Sequence, residues 1–238
     1  MLANTYAVNA QIGSLRQDVH FKTESLYRLI DFIANELPKW RDRPERARET
    51  SETVLTAQLS RHLNSASRHS MWDFLQFATE APDEKHIGRK IDLAVSPTDA
   101  TVWISGRRYS DLDTLLPIEC KRLPTPKDPK RDEWEYVVNR MATTGGIQRF
   151  KDGHHGSAHN LGAMIAYVQQ GTATEWHARV AGWIAQLQKS SATDWGSDGV
   201  IRLLTETTVS GLTTYCSTHK RVDALSEIEL RHLWLEMR

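Results

Sequence analysis

The residues that most constrain this chain are Leu161–Val168, LGAMIAYV, its longest uninterrupted apolar run. The run is far short of the ~20 residues that a membrane helix needs. Its length and β-branched content suit a strand, and with no polar face that strand must be covered on both sides. A chain built around it is expected to be a sheet flanked by helices.

The flanking helices have the right spacing. Leu26, Leu29, Ile30, Ile33 and Leu37 predict a helix over 23–37, which Pro38 should end. The charged stretch 39–48, broken by Pro44, reads as a solvated connector. A second helix is expected from about residue 50, with Leu55, Leu59 and Leu63 making one stripe and Glu52 one turn before it on the same side. Trp176, Val180, Trp183, Ile184 and Leu187 predict a helix over 174–188. Shorter helices are expected within 132–141 and over 147–151.

Between these the period changes to two. Strands are expected over 72–79, 90–96, 101–105, 115–121, 200–204 and 212–219. In the second of these, Ile91, Leu93 and Val95 point one way and Asp92 and Ala94 the other. Residues 228–237 fit either period: Ile228, Leu230, His232 and Trp234 alternate, while Leu230, Leu233, Trp234 and Met237 fit a helix; the strand is preferred. The expected class is α/β, a mixed sheet with helices on its faces.

The chain has 238 residues, 39% of them hydrophobic, which suffices for one core. Its 30 Lys+Arg balance 30 Asp+Glu, so any polyanion would have to be met by a local basic patch. Such an excess occurs at Lys121, Arg122, Lys127, Lys130, Arg131, Arg140, Arg149 and Lys151, and again at Arg89 and Lys90. Two cysteines, Cys120 and Cys216, are too few for a disulfide framework or a cysteine-rich zinc site. There is no basic-then-apolar leader pattern at the N-terminus, no GxSxG elbow and no GxxxxGK[ST] loop. The expectation is a soluble, cytoplasmic protein.

Chemistry is concentrated in Asp92 and Glu119-Cys120-Lys121. An acid followed two positions later by Lys occurs three times, but Asp83-Glu84-Lys85 follows Pro82 in a turn and Asp128-Pro129-Lys130 lies in a Pro-rich connector. Only Glu119-Cys120-Lys121 ends an apolar run, Leu115–Ile118, with a strand-borne Asp upstream. Strand alternation puts Glu119 and Lys121 on one face and turns Cys120 to the other, as a small buried side chain. Two carboxylates on adjacent strands can hold a hard divalent cation such as Mg²⁺, and an ammonium two residues from one of them can orient water.

This arrangement resembles the PD-(D/E)xK superfamily, the restriction-endonuclease-like nucleases, over about residues 52–168. The resemblance implies an α-β-β-β-α-β core with an N-terminal helical extension (1–48) on a nuclease domain (49–238) and a C-terminal α/β elaboration (172–238). It implies Mg²⁺, with Mn²⁺ able to substitute, and metal ligands Asp92, Glu119 and the carbonyl of Cys120. Lys121 would orient the water and Glu52, or alternatively Glu49, would be the helix carboxylate. Gln148, Arg149 and Arg122 are the expected substrate contacts. Asp92 is preceded by Ile91 rather than the family's Pro, and the long interval from Asp92 to Glu119 holds the extra strand at 101–105. The implied activity is hydrolysis of nucleic acid, DNA before RNA, with a place as effector in a prokaryotic restriction or anti-phage system. The implied partners are a second copy or a protein of such a system. The rival is a binding module on the same fold that does not cut. Trp134 is a candidate for base stacking. The loop 152–160, with His154, His155 and His159, lacks the spread of ligands that zinc requires.

Overall fold

The computed structural model describes residues 18–48, 50–83, 88–129, 131–142, 145–190, 195–196, 199–207, 210–222 and 225–237. Glu49 and Lys130 lie outside them.

In chain order the elements are β1 (Asp18–Phe21), α1 (Glu24–Arg41), α2 (Glu52–Ser67), β2 (Leu75–Pro82), β3 (Lys90–Pro97), β4 (Thr101–Ile104), β5 (Arg107–Tyr109), β6 (Leu116–Leu123), α3 (Gly146–Lys151), β7 (Leu161–Val168), α4 (Ala173–Lys189), β8 (Arg202–Thr207), β9 (Leu212–His219) and β10 (Ile228–Glu236). Seven strands form one mixed sheet in the order β2-β3-β6-β7-β10-β9-β8. β6–β7 and β7–β10 are parallel; the other pairs are antiparallel. The protein is therefore α/β, with a mixed sheet flanked by helices. No described helix is long and apolar enough to cross a membrane.

β7 is buried at every position, as its composition requires. One face of the sheet, with Leu93, Val95, Ile118, Cys120 and Ile165, meets Leu29, Ile33 and Leu37 of α1 and Leu55, Leu59 and Leu63 of α2. The other face, with Met164, Ala166 and Trp234, meets Ile147 and Phe150 of α3 and Trp176, Val180 and Trp183 of α4. α4 starts on a capping box, in which the Thr172 hydroxyl accepts from the Glu175 amide and the Glu175 carboxylate accepts from the Thr172 amide. β10 is a strand, since its alternating side pairs in parallel with β7 and antiparallel with β9.

Four expectations are corrected. α1 runs through Pro38 to Arg41, because Trp40 is buried against Tyr167 and the Arg41 guanidinium donates to the carbonyls of Ser210 and Glu236. These tertiary contacts outweigh the amide that Pro38 lacks. No helix forms over 132–141, which is a series of turns. There the Asp132 carboxylate accepts from the amides of Trp134 and Arg140 and from the Arg140 guanidinium, an alternative to helical hydrogen bonding. The first strand of the sheet begins at Leu75, not Trp72, since the Trp72 amide donates to Ser70 Oγ and its carbonyl accepts from the Leu75 amide in a turn. The strand at 101–104 is not in the main sheet; it joins a three-stranded sheet of order β1-β4-β5.

Candidate active site

β3 and β6 pair at Leu93↔Ile118, so Asp92 and Glu119 occupy neighbouring positions on the α3/α4 face. The Cys120 amide donates to Asp92 Oδ2 at 2.9 Å, which fixes the aspartate against β6. Lys121, two residues on, returns to that face. Its Nζ lies 2.6 Å from Glu119 Oε1, 3.7 Å from Asp92 Oδ2 and 3.7 Å from Glu52 Oε1, and it also donates to the Cys120 carbonyl at 3.2 Å. One ammonium thus gathers three carboxylates from three elements.

Glu52 is the first residue of α2, where a carboxylate suits the helix dipole. Its Oε2 accepts from the Arg122 amide at 3.0 Å, tying the helix start to the end of β6. Arg149 reaches in from α3, with Nη1 2.6 Å from Glu119 Oε1. His155, in the loop after α3, places Nδ1 3.2 Å from Glu119 Oε2. Both atoms are buried and make no geometrically aligned hydrogen bond, so this ion-pair contact is what each has. The turn that delivers His155 depends on Gly156, whose φ is +60° and where a Cβ would stand 2.9 Å from Pro117.

Burial sets the electrostatics. Glu119 is completely buried and the Lys121 side chain nearly so, whereas Asp92 keeps 28% of its side-chain surface exposed. Burial pushes Glu119 upward, but Lys121, His155 and Arg149 together pull it well below the usual carboxylate range. Lys121 is held above its ordinary value, as Glu119, Asp92 and Glu52 overcome the opposing effect of burial. Asp92 is pushed up to about 6, by burial first and by the Glu119 charge second, with Lys121 and the Cys120 amide offsetting only part. A carboxylate whose proton affinity is raised beside one whose affinity is lowered is the kind of asymmetry found where groups do chemistry.

Cys120 faces the other side as expected, fully buried in the α1/α2 core, where burial above all and then Asp92 push its thiol upward. Two expected substrate contacts are turned elsewhere. Gln148 Oε1 accepts from the Asn139 amide at 3.3 Å, and Arg122 Nη1 donates to the Thr50 carbonyl at 2.6 Å. Trp134 stacks on Trp183 at 5.8 Å with the Arg140 guanidinium over its ring, so its partners are the protein's own. Two neighbours of the cluster were not singled out in the sequence as partners of the carboxylates. One is His155; the other is Arg131, whose Nη2 lies 3.9 Å from Glu52 Oε2. Their only sequence signal is position, in the loops that follow β6 and α3.

The chain matches no protein-family model, no curated protein and no solved structure. What the site can do rests on its own geometry.

Its donors are carboxylate and carbonyl oxygens, the set that suits a hard cation such as Mg²⁺ or Mn²⁺. Glu119 Oε2 is buried with no hydrogen bond, His155 Nδ1 being its ion-pair neighbour, and both contacts of Asp92 use Oδ2, leaving Oδ1. Among the described residues no three His, Cys, Asp or Glu side chains form a ready-made metal group. The fit is therefore to an ion held by one or two carboxylates with water completing its shell, which is how Mg²⁺ is usually held. The cluster opens through Asp92 into two cavities. One, of about 380 Å³, is lined by Arg89, Lys90, Arg149, His154 and His155; the other, of about 90 Å³, lies between Glu52, Thr56 and Thr79.

Proposed function

We propose that this protein is a divalent-metal-dependent nuclease that hydrolyses phosphodiester bonds in nucleic acid, DNA in the first instance. The observation that carries this reading is the convergence of Glu52, Asp92 and Glu119 on the single Lys121 ammonium, beside a cavity that Arg89, Lys90 and Arg149 line together with Glu80. Asp92 and Glu119 would hold the metal, with the Cys120 carbonyl next to them. When bound, such an ion neutralises charge on the phosphoryl oxygens and makes a coordinated water more acidic. Lys121 is held protonated by its surroundings, so its role is to donate to the attacking water or the developing oxyanion, not to abstract a proton. Glu52 holds the end of β6 through the Arg122 amide and keeps a carboxylate oxygen near Lys121.

Cations are gathered where a backbone would lie. Arg89, Lys90 and Arg149 line the cavity at Asp92, where Lys90 is paired with Glu80 at 2.7 Å. A larger cavity of about 920 Å³ adjoins the end of β6, where Arg122, Lys127, Arg131 and Arg179 face Asp128, Glu133 and Glu175. In a chain of zero net charge this local supply can steer a polyanion.

One observation favours the non-cleaving alternative: Glu119 is fully buried, and Lys121 and Arg149 both sit on the same oxygen, a closed clamp. A cleavage assay separates the two. Single- and double-stranded DNA and RNA are incubated with Mg²⁺ or Mn²⁺ and wild-type protein, Asp92→Ala or Lys121→Ala. The nuclease reading expects cleavage that both substitutions abolish. Nucleic acid bound but intact under every condition supports the binding module.

A further inference from the structure

The row of side chains that carries Asp92 and Glu119 continues beyond them. β2 and β3 pair at Thr79↔Leu93 and Ala81↔Ile91, so Glu80 stands opposite Asp92. Asp92 in turn neighbours Glu119 across β3 and β6. Three carboxylates therefore occupy adjacent strands in one line, and the nuclease reading uses only two of them. Glu80, like Asp92, lines both cavities at the cluster.

The backbone at Glu80 is left-handed, with φ +52°, which a residue other than glycine adopts rarely and at a cost. Burial does not hold it there, since residues 78–80 are exposed. The contact that Glu80 makes is with Lys90. Lys90 precedes Asp92 by two residues on the same side of β3, which makes it the diagonal cross-strand neighbour of Glu80. Its Nζ lies 2.7 Å from Glu80 Oε2, its one ion pair among the described residues. Facing a like charge in Asp92, Glu80 is turned toward the cation one diagonal step away.

The consequence falls on the cavity of about 380 Å³ beside Asp92, whose strong cations are Arg89, Lys90 and Arg149. Glu119 holds Arg149 at 2.6 Å and Glu80 holds Lys90 at 2.7 Å, so two of the three carry a carboxylate where a phosphate would bind. The two pairs differ in firmness. Glu119 is fully buried, whereas Lys90 and Glu80 keep 63% and 55% of their side chains in solvent, which leaves the outer pair screened and weak.

We propose that Glu80 is an internal mimic of the substrate phosphate: its carboxylate occupies Lys90 in the free protein, and a phosphate of the nucleic acid displaces it. This rests on the nuclease reading for where the strand lies and deepens it. Glu80 sets how tightly a strand is accepted and takes no part in breaking the bond. A phosphodiester carries the same single charge as the carboxylate, and the displaced Glu80 moves into solvent that it already half occupies.

The test measures binding and turnover separately. Binding of labelled DNA oligonucleotides, single-stranded and duplex, is followed by fluorescence anisotropy in EDTA at about 0.15 M salt, where charges more than about 8 Å apart are screened. Wild type, Glu80→Gln, Lys90→Ala and the double variant are compared, and cleavage with Mg²⁺ gives KM and kcat. An exposed ion pair weighs up to about fivefold in an equilibrium, so Glu80→Gln should bind about three- to fivefold tighter and lower KM in proportion, with no fall in kcat. Lys90→Ala should bind more weakly, with a slope of log affinity against log salt shallower by about one. Without Lys90, Glu80→Gln should gain less than about twofold.

Unchanged or weaker binding by Glu80→Gln overturns the proposal. So does a gain that persists in full in the Lys90→Ala background, which would be general repulsion of the strand, and so does a fall in kcat, which would place Glu80 among the catalytic groups. Thermal melts check that the variants are folded, and Glu80→Asn, a residue that tolerates the left-handed backbone, repeats the measurement should Glu80→Gln not fold. The two readings fail separately. Wild type that binds without cutting removes the nuclease reading and leaves the binding comparison to decide Glu80; wild type that cuts with a KM indifferent to Glu80→Gln removes this proposal alone. Wild type that binds no nucleic acid overturns both.

Discussion

Two buried polar clusters share one face of the main sheet, and they are built on opposite principles. Glu119 on β6 and His232 on β10 are both register partners of Met164 on β7, one on each side of it. Around Glu119 the groups are charged, two of the buried atoms make no hydrogen bond, and cavities reach the cluster through Asp92. Around His232 the groups are neutral and paired in a line. Trp234 Nε1 donates to Tyr136 Oη at 2.7 Å, Tyr136 Oη lies 2.8 Å from His232 Nδ1, and Ser217 Oγ lies 2.7 Å from both His232 Nε2 and His219 Nε2. One direction of donation satisfies the whole line: Trp234 to Tyr136, Tyr136 to His232, His232 to Ser217, Ser217 to His219. The same sheet thus carries one network closed on itself and one left open. Only the open one has valence to spare for a ligand.

The comparison breaks most visibly at Lys121. Removing the ammonium in Lys121→Ala leaves Glu119 buried with only Arg149 and His155 near it. Loss of one partner from a buried ion pair typically costs about 3–5 kcal/mol, and loss of an oxyanion-stabilising donor about 10²–10³ in rate. The variant should show both, by urea denaturation and in the cleavage assay. A variant as stable as wild type would show that the cluster is wetter than its burial indicates.

Acid should separate the two clusters by sign. Burial, reinforced by His177, lowers His232 to about 3, and burial, reinforced by His232 and Lys151, lowers His219 well below its ordinary value. A protonated ring at either place would break the donor line. A histidine depressed in the folded state contributes stability that is complete above its unfolded value of about 6.5 and is lost as pH falls below it, by about 1.4 kcal/mol per pH unit for each ring. Asp92 runs the other way. Raised to about 6, it holds its proton more tightly when folded, so stability returns as pH falls from 6 toward about 4. The two histidines outweigh the one carboxyl, so stability should still fall across that interval, at about one histidine's slope. Chemical denaturation at pH steps from 7 to 4 reads this directly. A His232→Gln variant that keeps the full acid slope would remove the histidine line as its source.

The charged half of this contrast was legible in sequence and the neutral line was not, and the reasons are physical. β7 and α4 were readable because each period was unbroken over the whole element. Asp92, Glu119 and Lys121 were readable because strand alternation alone puts them on one face once the strands are placed. The helix through Pro38 was not, because the contacts that extend it come from Ser210 and Glu236, far along the chain. The turns at 132–141 were missed because a single carboxylate, Asp132, replaces the helical hydrogen bonds there. His155 was visible as a histidine in a glycine-containing loop, but its contact with Glu119 is made only by the fold. Strand length was least legible at the sheet edges, where β8 is largely exposed and no buried face sets its ends.

In the neutral line, Ser217→Ala should cost about 1–3 kcal/mol. It strips the His232 Nε2–H of its acceptor and the His219 Nε2 of its donor while removing almost no volume. The measurement is the urea midpoint at pH 7. Cleavage should be unchanged, because the line's hydrogen bonds run among its own members and none reaches the carboxylate cluster among the described residues; a fall in activity without a fall in stability would mean that the two clusters communicate across Met164.

The smallest effect on stability is expected at Arg149, and it decides what that arginine is for. As a structural clamp on Glu119, its removal should destabilise the fold much as that of Lys121 does. As a contact for nucleic acid, it is only parked on Glu119. Lys121 keeps Oε1 occupied in its absence, and 22% of the Arg149 side chain is already in solvent, so the ion pair is partly screened. Arg149→Gln should then shift stability by less than about 1 kcal/mol while weakening binding of DNA. The sharper readout is salt: a side chain that neutralises a phosphate contributes about one unit to the slope of log affinity against log salt, so the variant's slope should be shallower by about one. A variant with an unchanged slope and a loss of several kcal/mol in stability would make Arg149 part of the closed clamp, and would move the cluster toward the self-satisfied design of its neighbour around His232.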